Sequence, residues 1–179
     1  EMASYDGSTG WDFAIGGSAG SLLGSLPLER LRAFFASPQC CVAASGAPPG
    51  RAVPVEGGYL LSGRWAWASA IHESGWVAGT AVVFEGDGPR LNRQGKPDAR
   101  FCLLPQEQVT VLDTWHTMGM RGTGSTEWEV RNLFLPEENA LTPYTGISAH
   151  PAPIFRLPST FFGLSPCGAA LGVARAAVD

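Results

Sequence analysis

The residues best equipped for chemistry sit in one stretch, GYLLSGRWAWASAIHESGW, Gly58 to Trp76. Trp67 offers a broad flat face, and Ser69 offers a donor and an acceptor at short reach. Side chains two positions apart on a strand leave the same face. The pair would press an aromatic ring system from one side and bond its edge, unless the indoles simply fill a core. Trp65 and Trp76 extend this expectation to a wall of tryptophans, with Trp67 nearest the ligand. His72 follows closely and is the first candidate base on the substrate side, ahead of His116 and His150.

A second constellation is the turn Arg121-Gly122-Thr123-Gly124-Ser125. A guanidinium, two hydroxyls and glycine-flanked N–H groups suit a phosphate. The alternative is a glycine-rich hairpin whose Arg121 pairs with a carboxylate. No GxGxxG motif is present, so nothing supports a Rossmann-type cofactor site. Cys40, Cys41, Cys102 and Cys167 fit no zinc spacing. They are expected to be buried, reduced thiols of a cytoplasmic protein, with no metal site.

These residues need elements to hold them. In Glu1–Ser37, LPLERLRAFFAS carries Leu28, Leu31, Phe34 and Phe35 at helical spacing behind Pro27. GGSAGSLLGS is either a tightly packed helix or a loop, since glycine weakens helices. From Gln39 to about Pro136, short apolar or alternating runs are punctuated by Gly, Pro, Asn and Asp, and read as strands. EGDGPRLNRQGKPDA reads as an exposed hairpin loop. The alternation in TEWEVRNLFLP sends Trp128, Val130 and Asn132 to one face, and Glu127, Glu129, Arg131 and Leu133 to the other. FFGLSPCGAALGVARAAVD reads as a packed helix, apolar on most sides, that would drive self-association.

The fold class is therefore α+β: an antiparallel β-barrel middle domain at 38–145 between helical segments at 1–37 and 146–179. The chain of 179 residues is 45% apolar and 16% charged, enough for a packed core. Its net charge is −4 and only one of its 12 basic residues is Lys, which disfavours nucleic acid as a partner. No apolar run approaches the ~20 residues of a membrane helix. Both ends read as the middle of helical segments, so the chain is expected to be part of a longer protein.

Helix, barrel, helix, with a W-A-S strand, resembles the acyl-CoA dehydrogenase superfamily. Its G-x-K-x-W-[IL]-[ST] stretch resembles Gly63-Arg64-Trp65-Ala66-Trp67-Ala68-Ser69. The resemblance implies that Trp67 lies against a flavin isoalloxazine and that the Ser69 hydroxyl bonds near its N5. The family's T-E-P-x-x-G-S-D segment is met by Ser45-Gly46-Ala47-Pro48-Pro49-Gly50-Arg51-Ala52. Only Ser45 and Gly50 survive there, and Arg51 is left to meet a phosphate. DTWHTMGMRGTGSTEWEVRNLFLPEE resembles the family's G-x-R-x-[ST] turn, which assigns Arg121, Thr123 and Ser125 to the cofactor. Pro38–Glu137 carries most of the resemblance.

Those departures resemble the monooxygenases of this fold, which take reduced FAD or FMN from a separate flavin reductase. The resemblance implies oxygenation of a small aromatic or heteroatom substrate, with Ser69 and His72 as catalytic candidates. It also implies a homo-oligomer, a tetramer in the full-length protein. Such an enzyme needs a dry pocket around its reduced cofactor. The resemblance also implies that remaining acid or base groups sit in the C-terminal helical domain beyond Asp179, with Arg156 beginning the helix that lines the pocket and Phe161 and Phe162 as its apolar wall. Two alternatives stand: an acyl-CoA dehydrogenase using FAD, and a non-catalytic binding module of the same fold. No Glu here reads as a dehydrogenase base.

Overall fold

The computed structural model describes residues 1–142, 152–153 and 163–179. His150, Arg156, Phe161 and Phe162 lie outside them. Helix α1 (Met2–Tyr5) leads into α2 (Gly7–Leu22), whose start is capped by the Asp6 carboxylate accepting from the Thr9 N–H at 2.6 Å. The small-residue stretch thus completes a helix rather than a loop. Helix α3 (Leu28–Ala36) begins directly after Pro27, a residue preorganised for a helix start.

Eight strands follow: β1 (Val42–Val55), β2 (Gly58–Ala68), β3 (Trp76–Glu85), β4 (Gly88–Pro89), β5 (Ala99–Pro105), β6 (Thr110–Leu112), β7 (Thr126–Pro136) and β8 (Ala140–Leu141). Their order is β6-β7-β2-β1-β3-β5-β8, with β4 paired to β3. The expected all-antiparallel sheet needs correction: β1 and β3 run parallel. β2 returns from β1 through the Glu56–Gly57 turn, and Ser69–Gly75 then carries the chain past β1 to its other side. Among the described residues β6 and β8 are not paired, so closure into a barrel is not seen.

Alternation on the strands builds two cores. Val77, Cys102 and Leu104 face inward with Trp65, Trp128 and Leu61. Ala78, Phe101 and Leu103 face outward, under Leu23, Leu26, Leu31 and Phe34 of the helical layer. Alternation on β7 holds for Trp128 and Val130 but fails at Asn132, which is exposed. Asn132 sits at φ 48 in a bulge opposite β2, so the phase changes and Leu135 is buried instead. The exposed segment after β3 is pinned by Arg90, which bridges Glu85 and Asp98. Helix α4 (Leu164–Ala176) packs on α1 and α2. Of the cysteines only Cys102 is buried, and burial pushes its thiol up to about 12; Cys41 and Cys167 are exposed.

Candidate functional site

Where α2 meets the end of β2, a cavity of about 260 Å³ is lined by Trp11, Ile15, Ala44, Trp67, Ser69, Trp115, Met120, Thr123 and Ser125. It is smaller than the roughly 300–1,000 Å³ of most ligand pockets, so it suits one ring system and leaves any tail outside. Three indoles face it, and a row of hydroxyls forms its polar floor.

The hydroxyls are linked. Ser69 Oγ accepts from Trp11 Nε1 at 3.0 Å and lies 2.7 Å from Ser125 Oγ. Ser125 Oγ lies 2.6 Å from Thr123 Oγ1, which donates to the Met120 carbonyl at 2.9 Å. Trp115 Nε1 donates to that same carbonyl at 3.0 Å. Ser69, Thr123 and Ser125 are 5%, 1% and 6% exposed, so each depends on these protein partners.

The backbone around Ser69 is unusual. Trp67 and Ala70 have φ values of 63° and 59°, left-handed conformations that cost non-glycine residues about 1–2 kcal/mol each. The β2–β7 register shifts between Trp65 and Ala68, and β2 ends at Ala68. Trp67 and Ser69 therefore do not project from one face of a regular strand. The bulge turns Trp67 outward, 65% exposed, and carries Ser69 onto the following turn. Both still line the cavity, by a route strand periodicity does not describe. Strain of this kind gathers where a side chain must be aimed.

Trp65 and Trp76 are not part of a wall around this cavity. Trp65 is fully buried and stacks on Trp128, ring centroids 4.1 Å apart at 16°. Its Nε1 donates to the Thr80 carbonyl at 2.7 Å. Trp76 packs against Phe34, centroids 5.5 Å apart.

Ser45 points away from the cavity that its neighbour Ala44 lines, and accepts from Trp128 Nε1 at 3.3 Å inside the sheet core. Gly50 makes room for the Trp65 ring, as do Gly63 and Gly79; a Cβ on Gly79 would meet Trp65 Cε2 at 2.7 Å. The guanidinium of Arg51 lies over the Phe84 ring, 4.2 Å from its centroid, and donates to the Gly86 carbonyl. These three residues do not line the cavity. Arg121 follows Met120, which does line it, and is exposed. The hydroxyls of Thr123 and Ser125 turn inward instead of forming a phosphate loop. His72 lies against Gly124 and lines a separate cleft of about 650 Å³ with Arg30, Glu73 and Gln106. The structure thus brings Trp67, Ser69, Thr123 and Ser125 together and leaves Ser45, Gly50, Arg51, Arg121 and His72 outside.

Sequence reasoning missed Trp11, Trp115 and Met120. One signal was available for Trp11: it is the one tryptophan in a helix otherwise built largely from Gly, Ser, Ala and Thr.

Asp12 is the next residue along α2. Its carboxyl is raised to about 6, first by burial and then by the nearby charges of Glu73 and Asp6. Its Oδ1 is buried without a hydrogen-bond partner among the described residues. Among the described residues no group of three His, Cys, Asp or Glu could hold a metal ion, and no helix is long and apolar enough to cross a membrane.

No family model matches the chain. It is 31% identical over 166 residues to the oxygenase subunit HsaA of a flavin-dependent monooxygenase from Mycobacterium tuberculosis, covering 88% of this chain and 40% of that one. It is 35% identical over 178 residues to indole-3-acetate monooxygenase of Pseudomonas putida, covering 97% and 43%. Among solved structures, XiaF from Streptomyces in complex with FADH2 and glycerol superposes with a TM-score of 0.81 at 27% identity, covering 98% and 45%. The chain thus spans less than half the length of these relatives.

Proposed function

We propose, for a chain whose homologues are oxygenase subunits of flavin-dependent monooxygenases, that it forms the flavin-edge half of such an oxygenase. Its reaction would insert one oxygen atom of O2 into a small aromatic substrate. The observation that carries this reading is the cavity itself, which combines indole faces with a buried hydroxyl row.

These residues fit a flavin ring. Trp67, Trp11 and Trp115 offer flat apolar surface, and Ser69 offers hydrogen bonding at its edge. When bound, reduced flavin would supply the electrons that activate oxygen. The protein's part is to hold the ring, keep water from its edge and fix the hydrogen bonds there. Ser69, which lines the cavity, would be the residue that touches the cofactor. His72 would act only on substrate reaching it from its own cleft. FAD and FMN both remain compatible with a cavity that takes only the ring.

A separate reductase is the proposed donor of reduced flavin. The proposed homo-oligomer is supported by the apolar helical face, where Phe13 and Leu171 are each 71% exposed.

The test uses the full-length polypeptide. Supplied with O2, a flavin reductase, FAD or FMN and a panel of small phenols and indoles, it is expected to yield a product heavier by one oxygen. A tightly held stoichiometric FAD bleached by an acyl-CoA, with no reductase present, would establish the dehydrogenase alternative instead.

A further inference from the structure

The two ends of the hydroxyl row fix the direction of every hydrogen bond between them. An indole N–H only donates and a carbonyl oxygen only accepts. At one end, Trp11 Nε1 donates to Ser69 Oγ at 3.0 Å, occupying one of its lone pairs. At the other end the Met120 carbonyl, 2.9 Å from Thr123 Oγ1, demands the Thr123 proton. Thr123 must then accept from Ser125 across 2.6 Å, and Ser125 must accept from Ser69 across 2.7 Å. Reversing any link would set two lone pairs, or two protons, against each other. The Ser69 proton is committed to Ser125, and what remains to Ser69 is a lone pair.

From this we infer that Ser125 and Thr123 are positioning residues that make Ser69 a hydrogen-bond acceptor toward the cavity and so select for a ligand edge bearing an N–H. The inference rests on the flavin reading above. Reduced flavin carries hydrogen on N5 and donates there; oxidised flavin has only a lone pair at N5. The row therefore favours the reduced cofactor over the oxidised one, which is what an enzyme sharing flavin with a separate reductase needs. The selection resides in hydroxyl polarity rather than in shape, because both redox forms are flat enough for one cavity.

The variants separate polarity from packing. Ser125→Ala frees the Ser69 proton, so Ser69 can donate to oxidised flavin. Thr123→Val removes the acceptor of the Ser125 proton without changing side-chain volume much, and lets the row turn round. Thr123→Ser retains the row. Trp11→Phe removes a donor but leaves the Ser69 proton on Ser125, so polarity is kept.

Dissociation constants for oxidised and reduced flavin, titrated anaerobically on the full-length polypeptide, give the readout. The expected result is a reduced-form preference in the parent. That preference should fall about tenfold in Ser125→Ala and Thr123→Val, the equivalent of one hydrogen bond of ~1.4 kcal/mol, mainly through tighter oxidised binding. Thr123→Ser and Trp11→Phe should keep the parent ratio. Equal binding of both forms by the parent would overturn the inference while leaving a flavin site in place. So would an unchanged ratio in both Ser125→Ala and Thr123→Val, or the same collapse in Trp11→Phe. A folded parent that binds neither form would overturn the flavin reading itself, and this inference with it.

Discussion

Trp65 and Trp67 are two residues apart, yet they belong to opposite kinds of environment. Trp65 stacks on Trp128 inside the sheet, with its N–H on a strand carbonyl and glycines giving way around its ring. Trp67 stands in a left-handed bulge, largely exposed, and shares a cavity with Trp11 and Trp115. In the core, backbone is trimmed to fit the indole. At the cavity, backbone is strained to aim it. An aromatic cluster in a sequence therefore says little by itself; what separates packing from binding is whether the surroundings adapt to the ring or the ring to an open space.

The sharpest way to break this comparison is to truncate one member of each group. Trp65→Ala removes a fully buried indole from a tight shell and is expected to cost about 3–5 kcal/mol in urea unfolding. Trp67→Ala removes a side chain 65% exposed and is expected to change stability by under about 1 kcal/mol while weakening flavin binding at least tenfold. Similar stability losses for the two variants would erase the distinction.

Much of this architecture was legible from local pattern. α3 announces itself through Pro27 and its helical spacing, and the strands through short alternating runs. The W-A-S stretch does lead to a cavity, lined by Trp67 and Ser69. What was not legible depends on contacts across the chain. Whether β3 pairs beside β1 or beside β2 is decided by the route of Ser69–Gly75, and no periodicity encodes it. The bulge at Trp67 reverses a strand's facing rule without a glycine or proline to mark it. Trp11 reaches Ser69 from 58 positions away, through the packing of α2 on the sheet. Gly50 and Ser45 were read as cofactor residues because of their motif, whereas the bulky Trp65–Trp128 pair claims both for the core.

A second variant sharpens the comparison at intermediate size. Ser69→Ala leaves the Trp11 N–H and the Ser125 hydroxyl each short of a partner in a buried setting. An unmade buried hydrogen bond costs about 1–3 kcal/mol, so Ser69→Ala is expected to destabilise by that amount even without flavin. The hydroxyl row would then be structural as well as a binding feature. Urea unfolding of ligand-free protein measures it; a loss below ~0.3 kcal/mol would mean that water replaces the serine and that the cavity edge is wetter than the burial of Ser69 implies.

The smallest expected effect concerns Asp12, beside Trp11 on the same helix. The sheet core satisfies its indole N–H groups, but here a carboxylate oxygen is buried without a partner among the described residues. Burial first, then Glu73 and Asp6, raise its pKa from 3.8 to about 6. In the unfolded chain it titrates near its ordinary value. Between about pH 4 and 6 the folded state therefore holds the proton more tightly, and stability is linked to pH with a negative slope. The contribution of Asp12 is most favourable below about pH 4 and is lost as pH rises through 6. Asp12→Asn removes the charge and keeps the shape. It is expected to stabilise the protein above pH 7 by about 1 kcal/mol, the full shift being discounted for the solvent that screens a partly exposed group. The gain should shrink toward zero near pH 4, where the parent carboxyl is also neutral. Paired urea unfolding of parent and variant at both pH values isolates this difference from the other carboxylates. An equal gain at both would show that the amide's hydrogen bonding, and not the removed charge, is responsible.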